Sequence, residues 1–337
     1  NALSSDKGGS MMRAILCKAW GKPEDLVLED VAETAVNPGE IRIGVHACGL
    51  NFADTLMIQG LYQVKPPFPF SPGLEAAGEV LEVGAGVKHL KPGDRVAALC
   101  GHGGFAEQVV VPAQVALPIP DNMPYETAAA FSVAYGTSHV ALEHRANLQP
   151  GETLLVHGAA GGVGLTAVEI GKLMGATVIA TASSAEKLAV ARQYGADHLI
   201  NYRTESFRER VKEITNGKGA NVIYDPVGGD VFDESVRCVS WEGRILVIGF
   251  AAGRIPQLPV NLALVKNMSV VGVFWGAYAQ RNPAVLIGSL QKLLGWYAQD
   301  KLNPLVSQTY PLAETARAMN DMIQRKSTGK LVVKVRE

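Results

Sequence analysis

The chain has 337 residues, of which 47% are hydrophobic and 19% charged, and its formal net charge is −1. This is the composition of an ordinary folded protein with room for two domains. The near-neutral charge gives no basis for binding nucleic acid or an anionic membrane, and no apolar run reaches the roughly 18 residues that span a bilayer. Residues 1–10 are small and polar, so we expect a tail there, without the apolar core of a signal peptide.

Residues 12 to about 125 are predicted to be mostly β. Apolar and polar residues alternate over 41–47, which is the pattern of a half-buried strand. Proline–glycine turns recur, as in Asn37–Gly39 and Lys91–Asp94. The pattern indicates a partly closed β-barrel. The four cysteines are far apart, which favours buried thiols in a reducing cytoplasm.

From Glu152 onward, predicted strands and helices alternate. The strands are expected at Thr153–His157, Thr177–Ala182, His198–Asn201, Asn221–Asp225, Arg244–Gly249 and Met268–Val273. The helices between them are expected at Gly162–Met174, Ala185–Tyr194, Ser206–Thr215, Asp230–Val239 and roughly Val260–Asn267. Such alternation predicts an α/β fold with a doubly wound parallel sheet. Two further helices, Ala284–Asp300 and Leu312–Gln324, and a last strand, Lys330–Val335, are expected to return to the first domain.

A glycine cluster, Gly158–Gly164, joins the first of these strands to the first helix. Such a turn lets backbone N–H groups approach a pyrophosphate at the positive end of the helix. Ala159 stands where the first glycine of G-x-G-x-x-G is usual. A turn without a ligand is the alternative, but the following strands and helices favour a dinucleotide site.

The end of the second strand of this sheet indicates which dinucleotide is bound. NAD sites usually have an acidic residue there, whereas this chain has Ala182 and Ser183. The first acidic residue after this strand is Glu186, whose spacing from Ser183 predicts a helix capping box between the two. Lys187 lies in the first helical turn, where a cation opposes the helix dipole unless it binds a 2′-phosphate. NADP(H) is therefore favoured, a solvated surface lysine being the alternative.

With these residues placed, the chain from about Met12 resembles the zinc-independent quinone oxidoreductases of the medium-chain dehydrogenase/reductase superfamily. The motifs that carry the resemblance are Ala159–Gly164, Asn51–Thr55, Gly60–Tyr62, Pro72–Gly78, Lys91–Val96, Gly195–His198 and Asn201–Tyr202. The resemblance implies a GroES-like β-barrel catalytic domain over 11–125 with 276–337. It also implies a Rossmann NADP(H)-binding domain over 126–275, and commonly a homodimer that pairs the strand around Met268–Val273.

The resemblance also implies roles for particular residues toward NADPH. Lining of the nicotinamide end is implied for Asn51 and Thr137, and binding of the pyrophosphate for Ala160, Gly161, Gly162 and Val163. Contacts to the 2′-phosphate are implied for Ser183, Lys187, Tyr202 and Arg325, and backbone contacts to the nicotinamide for Gly249, Phe250, Phe274 and Trp275.

A metal is not expected. A catalytic zinc needs about three Cys, His or carboxylate ligands. In the zinc alcohol dehydrogenases of the superfamily, Cys and His stand at the positions of Asn51 and Leu74. Glu75 remains as a lone carboxylate, which reads better as an ion-pair or hydrogen-bond residue. Without a Lewis acid, the acceptor must already be electrophilic, as a quinone or conjugated enone is. Tyr62 is the predicted proton or hydrogen-bond donor, and Asn51 could bind the acceptor oxygen.

Two other functions remain open at this point. One is an NADPH-dependent enoyl-thioester reductase, because that branch of the superfamily shares the fold and cofactor. The other is a non-enzymatic, crystallin-like NADPH or RNA binder. The charge balance speaks against RNA, so the predicted partners are a small quinone or enone and a second copy of the chain.

Overall fold

The computed structural model describes residues 9–337, so most of the expected tail lies outside the described residues. The strands of this part of the chain are β1 (Met11–Leu16), β2 (Val27–Ala32), β3 (Glu40–Gly49), β4 (Glu75–Val83), β5 (Arg95–Leu99), β6 (Gln108–Pro112), β7 (Ala116–Pro118), β8 (Thr153–Val156), β9 (Thr177–Ala182), β10 (His198–Asn201), β11 (Ala220–Asp225), β12 (Val239–Val247), β13 (Ser269–Gly272), β14 (Val306–Pro311) and β15 (Lys330–Lys334). The α-helices are α1 (Phe52–Ile58), α2 (Tyr125–Ala129), α3 (Ser132–His139), α4 (Gly162–Leu173), α5 (Ala185–Gln193), α6 (Phe207–Ile214), α7 (Gly229–Ser235), α8 (Val260–Lys266), α9 (Tyr278–Arg281), α10 (Pro283–Ala298) and α11 (Thr315–Ile323).

The described chain forms two compact units. The first contains the residues up to Val133 together with Pro304–Glu337, and the second is Ala134–Asn303. These boundaries differ from the predicted ones at 125 and 275. Helix α10 lies in the second unit, where the Ser289 hydroxyl is 2.7 Å from Nδ1 of His139. The segment after it is also held there, since the Asn303 N–H donates to Glu169 at 2.9 Å.

The first unit is built on a mainly antiparallel sheet in the order β14-β15-β3-β4-β5-β7, with β6 also paired to β3. The alternation over 41–47 places Ile41, Ile43 and Val45 in the core with no exposed surface. Strand β15 pairs antiparallel with β3, where Val333 faces Cys48. The C-terminal strands β14 and β15 therefore belong to the sheet of the first unit, as the sequence analysis expected for the last strand.

The second unit contains a parallel six-stranded sheet in the order β10-β9-β8-β11-β12-β13. This is the doubly wound order that the alternation of elements predicted. Its central strands are continuous apolar runs because helices cover both faces, and Leu155, Ile179 and Ile223 have no exposed surface. The loops that follow the carboxyl ends of the strands meet at one edge of the sheet, which is where such folds bind ligands.

Among residues 9–337, no helix combines the length and the apolar character needed to cross a membrane.

Candidate functional site

The glycine turn between β8 and α4 is shaped by two glycines. Gly158 has φ +58°, and a Cβ on Gly164 would lie only 2.0 Å from the Gly158 carbonyl oxygen. Both positions therefore exclude larger residues. The N-cap of α4 is Gly161, which supplies no side-chain hydrogen bond. The N–H groups of the first helical turn are thus available to an anionic ligand.

Ala159 replaces the first glycine of the usual fingerprint without disturbing this turn. Ala159 is fully buried, and its N–H donates to the Thr181 carbonyl oxygen of β9 at 3.1 Å. The alanine methyl group therefore belongs to the packing between the turn and the sheet.

A buried hydroxyl network lies behind the turn. The Ser138 Oγ is 2.7 Å from Thr166 Oγ1 of α4 and 3.0 Å from the Tyr224 hydroxyl of β11. It also donates to the Val163 carbonyl oxygen at 2.9 Å. Helix α3, which carries Thr137, is thereby tied to the first turn of α4. The structure brings Thr137 and the glycine turn together although they are distant in sequence.

The end of β9 corrects one detail of the sequence analysis. Ser184, not Ser183, is the N-cap of α5, and its Oγ accepts from the Lys187 N–H at 3.3 Å. The predicted helix start at Ala185 is right, but the predicted capping box of Ser183 and Glu186 is wrong, because the residue directly before the helix is Ser184. Ser183 lies outside the helix, directly after the carboxyl end of β9. Tyr202 lies beside it, since its N–H donates to the Ala182 carbonyl oxygen at 3.2 Å and its side chain is exposed.

The residues predicted to contact the nicotinamide follow the carboxyl ends of β12 and β13, on the same side of the parallel sheet as the glycine turn. Trp275 is 8% exposed, and its indole lies against Gly136, where a Cβ would come within 2.5 Å of the ring. Trp275 therefore adjoins the segment that carries Thr137. The indole Nε1 is buried and has no hydrogen-bond partner among the described residues. Gly249 and Phe250 precede the Ala251 N–H, which donates to the Pro226 carbonyl oxygen after β11.

In the first unit, Asn51 belongs to a buried polar cluster. We call Asn51, Glu75 and Lys330 the amide–ion cluster; their exposed fractions are 7%, 1% and 5%. The Lys330 ammonium donates to Asn51 Oδ1 at 2.6 Å and to Glu75 Oε1 at 3.0 Å. The Asn51 Nδ2 donates to the same Glu75 oxygen at 3.1 Å. Glu75 is thus the ion-pair and hydrogen-bond residue that the sequence analysis favoured.

The backbone around the amide–ion cluster is held by further hydrogen bonds. Asp54, fully buried, accepts from the Asn51 N–H at 2.9 Å and from the N–H groups of Gly73 and Leu74 at 3.2 and 3.1 Å. Burial raises the pKa of Asp54 to about 7. The second oxygen of Glu75 accepts from the Val133 N–H at 2.9 Å. These contacts fix the start of α1 and the start of β4 against each other.

Tyr62 and Arg325 also lie in the first unit. Tyr62 is half-buried against a core cluster that includes Met57 and Phe70. Burial, together with the negative charge of Asp54, raises the pKa of the Tyr62 hydroxyl. Arg325 is exposed and has a left-handed backbone, with φ +56°. Its assignment to a 2′-phosphate stays a prediction, as do the other residue assignments.

Sequence reasoning missed Lys330 and Asp54. Lys330 stands immediately before the apolar run Leu331–Val333, and a lysine beginning a buried strand was the available signal. Asp54 lies within a motif that was quoted for the resemblance. The spacing Asn51-x-x-Asp54 at the start of a helix was the available signal for its bond to the Asn51 N–H, whereas its bonds to Gly73 and Leu74 depend on the fold.

Comparison with known proteins identifies the family. A family described as alcohol dehydrogenase GroES-like domain matches residues 37–121, and one described as zinc-binding dehydrogenase matches residues 162–291. A quinone oxidoreductase-like protein 2 homolog from Nematostella vectensis is 45% identical over 334 residues, covering 98% of this chain and 91% of that protein. The chain belongs to the zinc-independent quinone oxidoreductase family of the medium-chain dehydrogenase/reductase superfamily.

Solved structures that resemble this chain support the same family assignment. The Escherichia coli quinone oxidoreductase complexed with NADPH is 34% identical, with a TM-score of 0.88, covering 96% of this chain and all of that one. A mycobacterial protein complexed with NADPH is 30% identical, with a TM-score of 0.90, over 96% of this chain and all of that one.

The residues of this family member do not fit a zinc ion, although one matching family is described as zinc-binding. No group of three or more His, Cys, Asp or Glu side chains within residues 9–337 is arranged to hold a metal. The oxygens of Asn51 and Glu75 already face the Lys330 ammonium at 2.6 and 3.0 Å. A second cation beside that ammonium would be repelled.

Proposed function

We propose that the protein is an NADPH-dependent reductase of quinones or other conjugated carbonyls, acting by direct hydride transfer without a metal. The observation that carries this proposal is the amide–ion cluster, in which a buried lysine ammonium lies beside Asn51 and pairs with Glu75. Membership of the quinone oxidoreductase family supports the same reaction class.

Three features of the second unit fit NADPH as the cofactor. The start of α4 has no side-chain cap, which suits a pyrophosphate held by Ala160, Gly161, Gly162 and Val163. The unpartnered Nε1 of Trp275 is a buried donor that a carboxamide oxygen would satisfy, since a buried donor without a partner is costly. Ser183, Lys187 and Tyr202 lie at the ends of β9 and β10 or in the helix between them, where a ribose 2′-phosphate would be bound.

In the proposed reaction, bound NADPH supplies a hydride from C4 of its nicotinamide to the conjugated system of the acceptor. The acceptor oxygen then carries the added negative charge, and Asn51 Nδ2 donates a hydrogen bond to it. The Tyr62 hydroxyl is protonated at neutral pH, as the direction of its pKa shift is upward, and we propose that it donates to the same oxygen. One hydride and one proton, from Tyr62 or from water, complete the reduction.

Steady-state kinetics test this proposal. We expect oxidation of NADPH that depends on added quinone or enone, with NADH a much poorer donor. An enoyl-CoA serves as the competing substrate. Rapid enoyl-CoA turnover without quinone-dependent oxidation would replace the proposal by an enoyl-thioester reductase. Binding of NADPH without any turnover would favour a crystallin-like binder instead.

We also propose that the partner is a second copy of the chain. Strand β13 is an edge of the second unit's sheet, and exposed edges favour pairing with another strand. Val270 on this strand is 40% exposed, while Val260 and Leu264 of α8 are 77% and 78% exposed. Sedimentation should show a dimer that Leu264→Lys dissociates, whereas Leu173→Lys, at an exposed position of α4, should leave it intact. A monomeric wild-type chain would contradict the proposal.

The four cysteines, Cys17, Cys48, Cys100 and Cys238, are all free thiols. Free thiols are typical of reducing compartments, so they support a cytoplasmic location.

A further inference from the structure

We propose that Lys330 is a positioning residue that decides which edge of the Asn51 amide meets the substrate. Its ammonium holds Asn51 Oδ1, so that Asn51 offers the acceptor an N–H donor. The inference rests on the proposed function, because it names how the carbonyl oxygen of that substrate is recognised.

The orientation of the amide follows from the hydrogen-bonding groups present. A lysine ammonium has three donors and no acceptor, so at 2.6 Å only an oxygen of Asn51 can face Lys330. The Nδ2 therefore points away from Lys330. One of its two N–H groups donates to Glu75 Oε1 at 3.1 Å. The remaining protein contact of Nδ2 is the Gly49 carbonyl oxygen at 3.5 Å, the outer limit of a hydrogen bond. Among the described residues the second N–H of Nδ2 therefore has only this long contact, so it is the donor that a ligand oxygen would take.

The surroundings of Lys330 make this orientation effective. The ammonium is 95% buried, so its bond to Asn51 Oδ1 acts in a medium of low dielectric constant and polarises the amide toward a stronger N–H donor. Glu75 balances the buried charge, and its second oxygen is held by the Val133 N–H. The Asn51 backbone is held by Asp54. The donor is thus fixed before substrate arrives, as stabilisation of a developing oxyanion requires.

Replacing Lys330 should allow the side-chain amide of Asn51 to flip, so that its oxygen and nitrogen exchange places. Without the ammonium, Asn51 Oδ1 can rotate toward the ligand side, where it would repel a substrate oxygen. Glu75 would also be left as a buried carboxylate whose only charged partner is gone, which costs stability. The test therefore uses two variants, Lys330→Met and the charge-balanced double variant Lys330→Met with Glu75→Gln.

The experiment measures kcat and KM for a series of quinones and enones of increasing reduction potential. The members of the series share the same carbonyl group and differ in the number of electron-withdrawing substituents around it. We expect kcat to fall roughly 10- to 100-fold in both variants, with the KM for NADPH unchanged. This is less than the roughly 100- to 1,000-fold loss on removal of an oxyanion donor itself, because Asn51 stays in place. The loss should be largest for the weakest electrophiles, which depend most on polarisation. A merely structural role would lower kcat equally for all acceptors.

A matched control is present on the same strand. Lys334 also forms an ion pair, with Glu126 at 3.6 Å, but its side chain is 42% exposed. Lys334→Met should leave kcat and its dependence on the acceptor unchanged. Protein folding is followed by thermal unfolding, and cofactor binding by quenching of tryptophan fluorescence. The double variant carries the test if Lys330→Met alone does not fold.

The outcomes separate this inference from the proposed function. Wild-type protein that reduces neither quinones nor enones overturns the proposed function, and the role of Lys330 with it. Active wild-type protein whose folded, NADPH-binding Lys330 variants keep kcat within about twofold overturns the role of Lys330 alone. A uniform loss across the acceptor series also overturns it.

Discussion

The first prediction concerns Lys187, in the first turn of α5. Lys187→Ala should weaken NADPH binding while leaving NADH binding and the fold nearly unchanged. Three structural facts set this expectation: the side chain is half-buried, it follows β9 by one helical turn, and the donation of its backbone N–H to Ser184 Oγ survives replacement by alanine.

The magnitude follows from the same placement. A charge-assisted hydrogen bond to a phosphate contributes about 1.5–3 kcal/mol, and partial exposure of Lys187 favours the lower half of that range. This corresponds to a roughly 10- to 40-fold rise in the Kd for NADPH. Loss of a half-buried surface lysine should change the free energy of unfolding by no more than about 0.5 kcal/mol.

Fluorescence titration with NADPH and NADH measures both dissociation constants, and thermal unfolding checks the fold. Arg192→Ala, an exposed position in the last turn of the same helix, is the matched control and should change neither constant. An equal weakening of NADPH and NADH by Lys187→Ala would refute the assignment of this residue to the 2′-phosphate.

Three further predictions follow from single contacts. Gly164→Ala places a Cβ 2.0 Å from the Gly158 carbonyl oxygen, so we expect NADPH binding to be lost in titration, whereas Gly288→Ala, which meets nothing within 4 Å, should preserve it. Burial lowers the pKa of His157 to about 3, below about 6.5 in the unfolded chain, so the unfolded chain binds a proton that the fold excludes. His157 should therefore lower the free energy of unfolding below about pH 6.5, by about 2 kcal/mol at pH 5. The raised pKa of Asp54 acts in the opposite direction in both proteins, so the contribution of His157 is read from denaturant unfolding as the difference between the pH profiles of the wild type and His157→Gln. Tyr62→Phe should lower kcat about tenfold without changing the Kd for NADPH; an unchanged kcat would assign the proton to water.

The second unit was predictable almost element by element, and the reason is local. Each of its strands is an apolar run bounded by turn residues, and α4 and α5 follow glycine or serine signals. The error at the start of α5 was one residue, because Ser183 and Ser184 are equally good caps in sequence and only the path of the chain leaving β9 chooses Ser184.

The extent of the second unit was harder to predict. Helix α10 was assigned to the catalytic domain because the strand–helix alternation ends before it. The structure places it in the second unit through the contact of Ser289 with His139, a pair separated by 150 residues. Amphipathic periodicity predicts that a helix has a buried face but not which core that face covers.

The sequence by itself determined the architecture and the glycine turn, because both depend on residue type at short spacing. It also placed Asn51 and Leu74 at the positions where zinc alcohol dehydrogenases have Cys and His ligands. Only the tertiary structure decided what replaces those ligands. Asn51, Glu75 and Lys330 come from three separate segments, and their charges matter only because the fold buries them within 3.1 Å of one another. In water such a trio would contribute little, whereas in the buried cluster the bond from Lys330 to Asn51 Oδ1 fixes the direction of one amide.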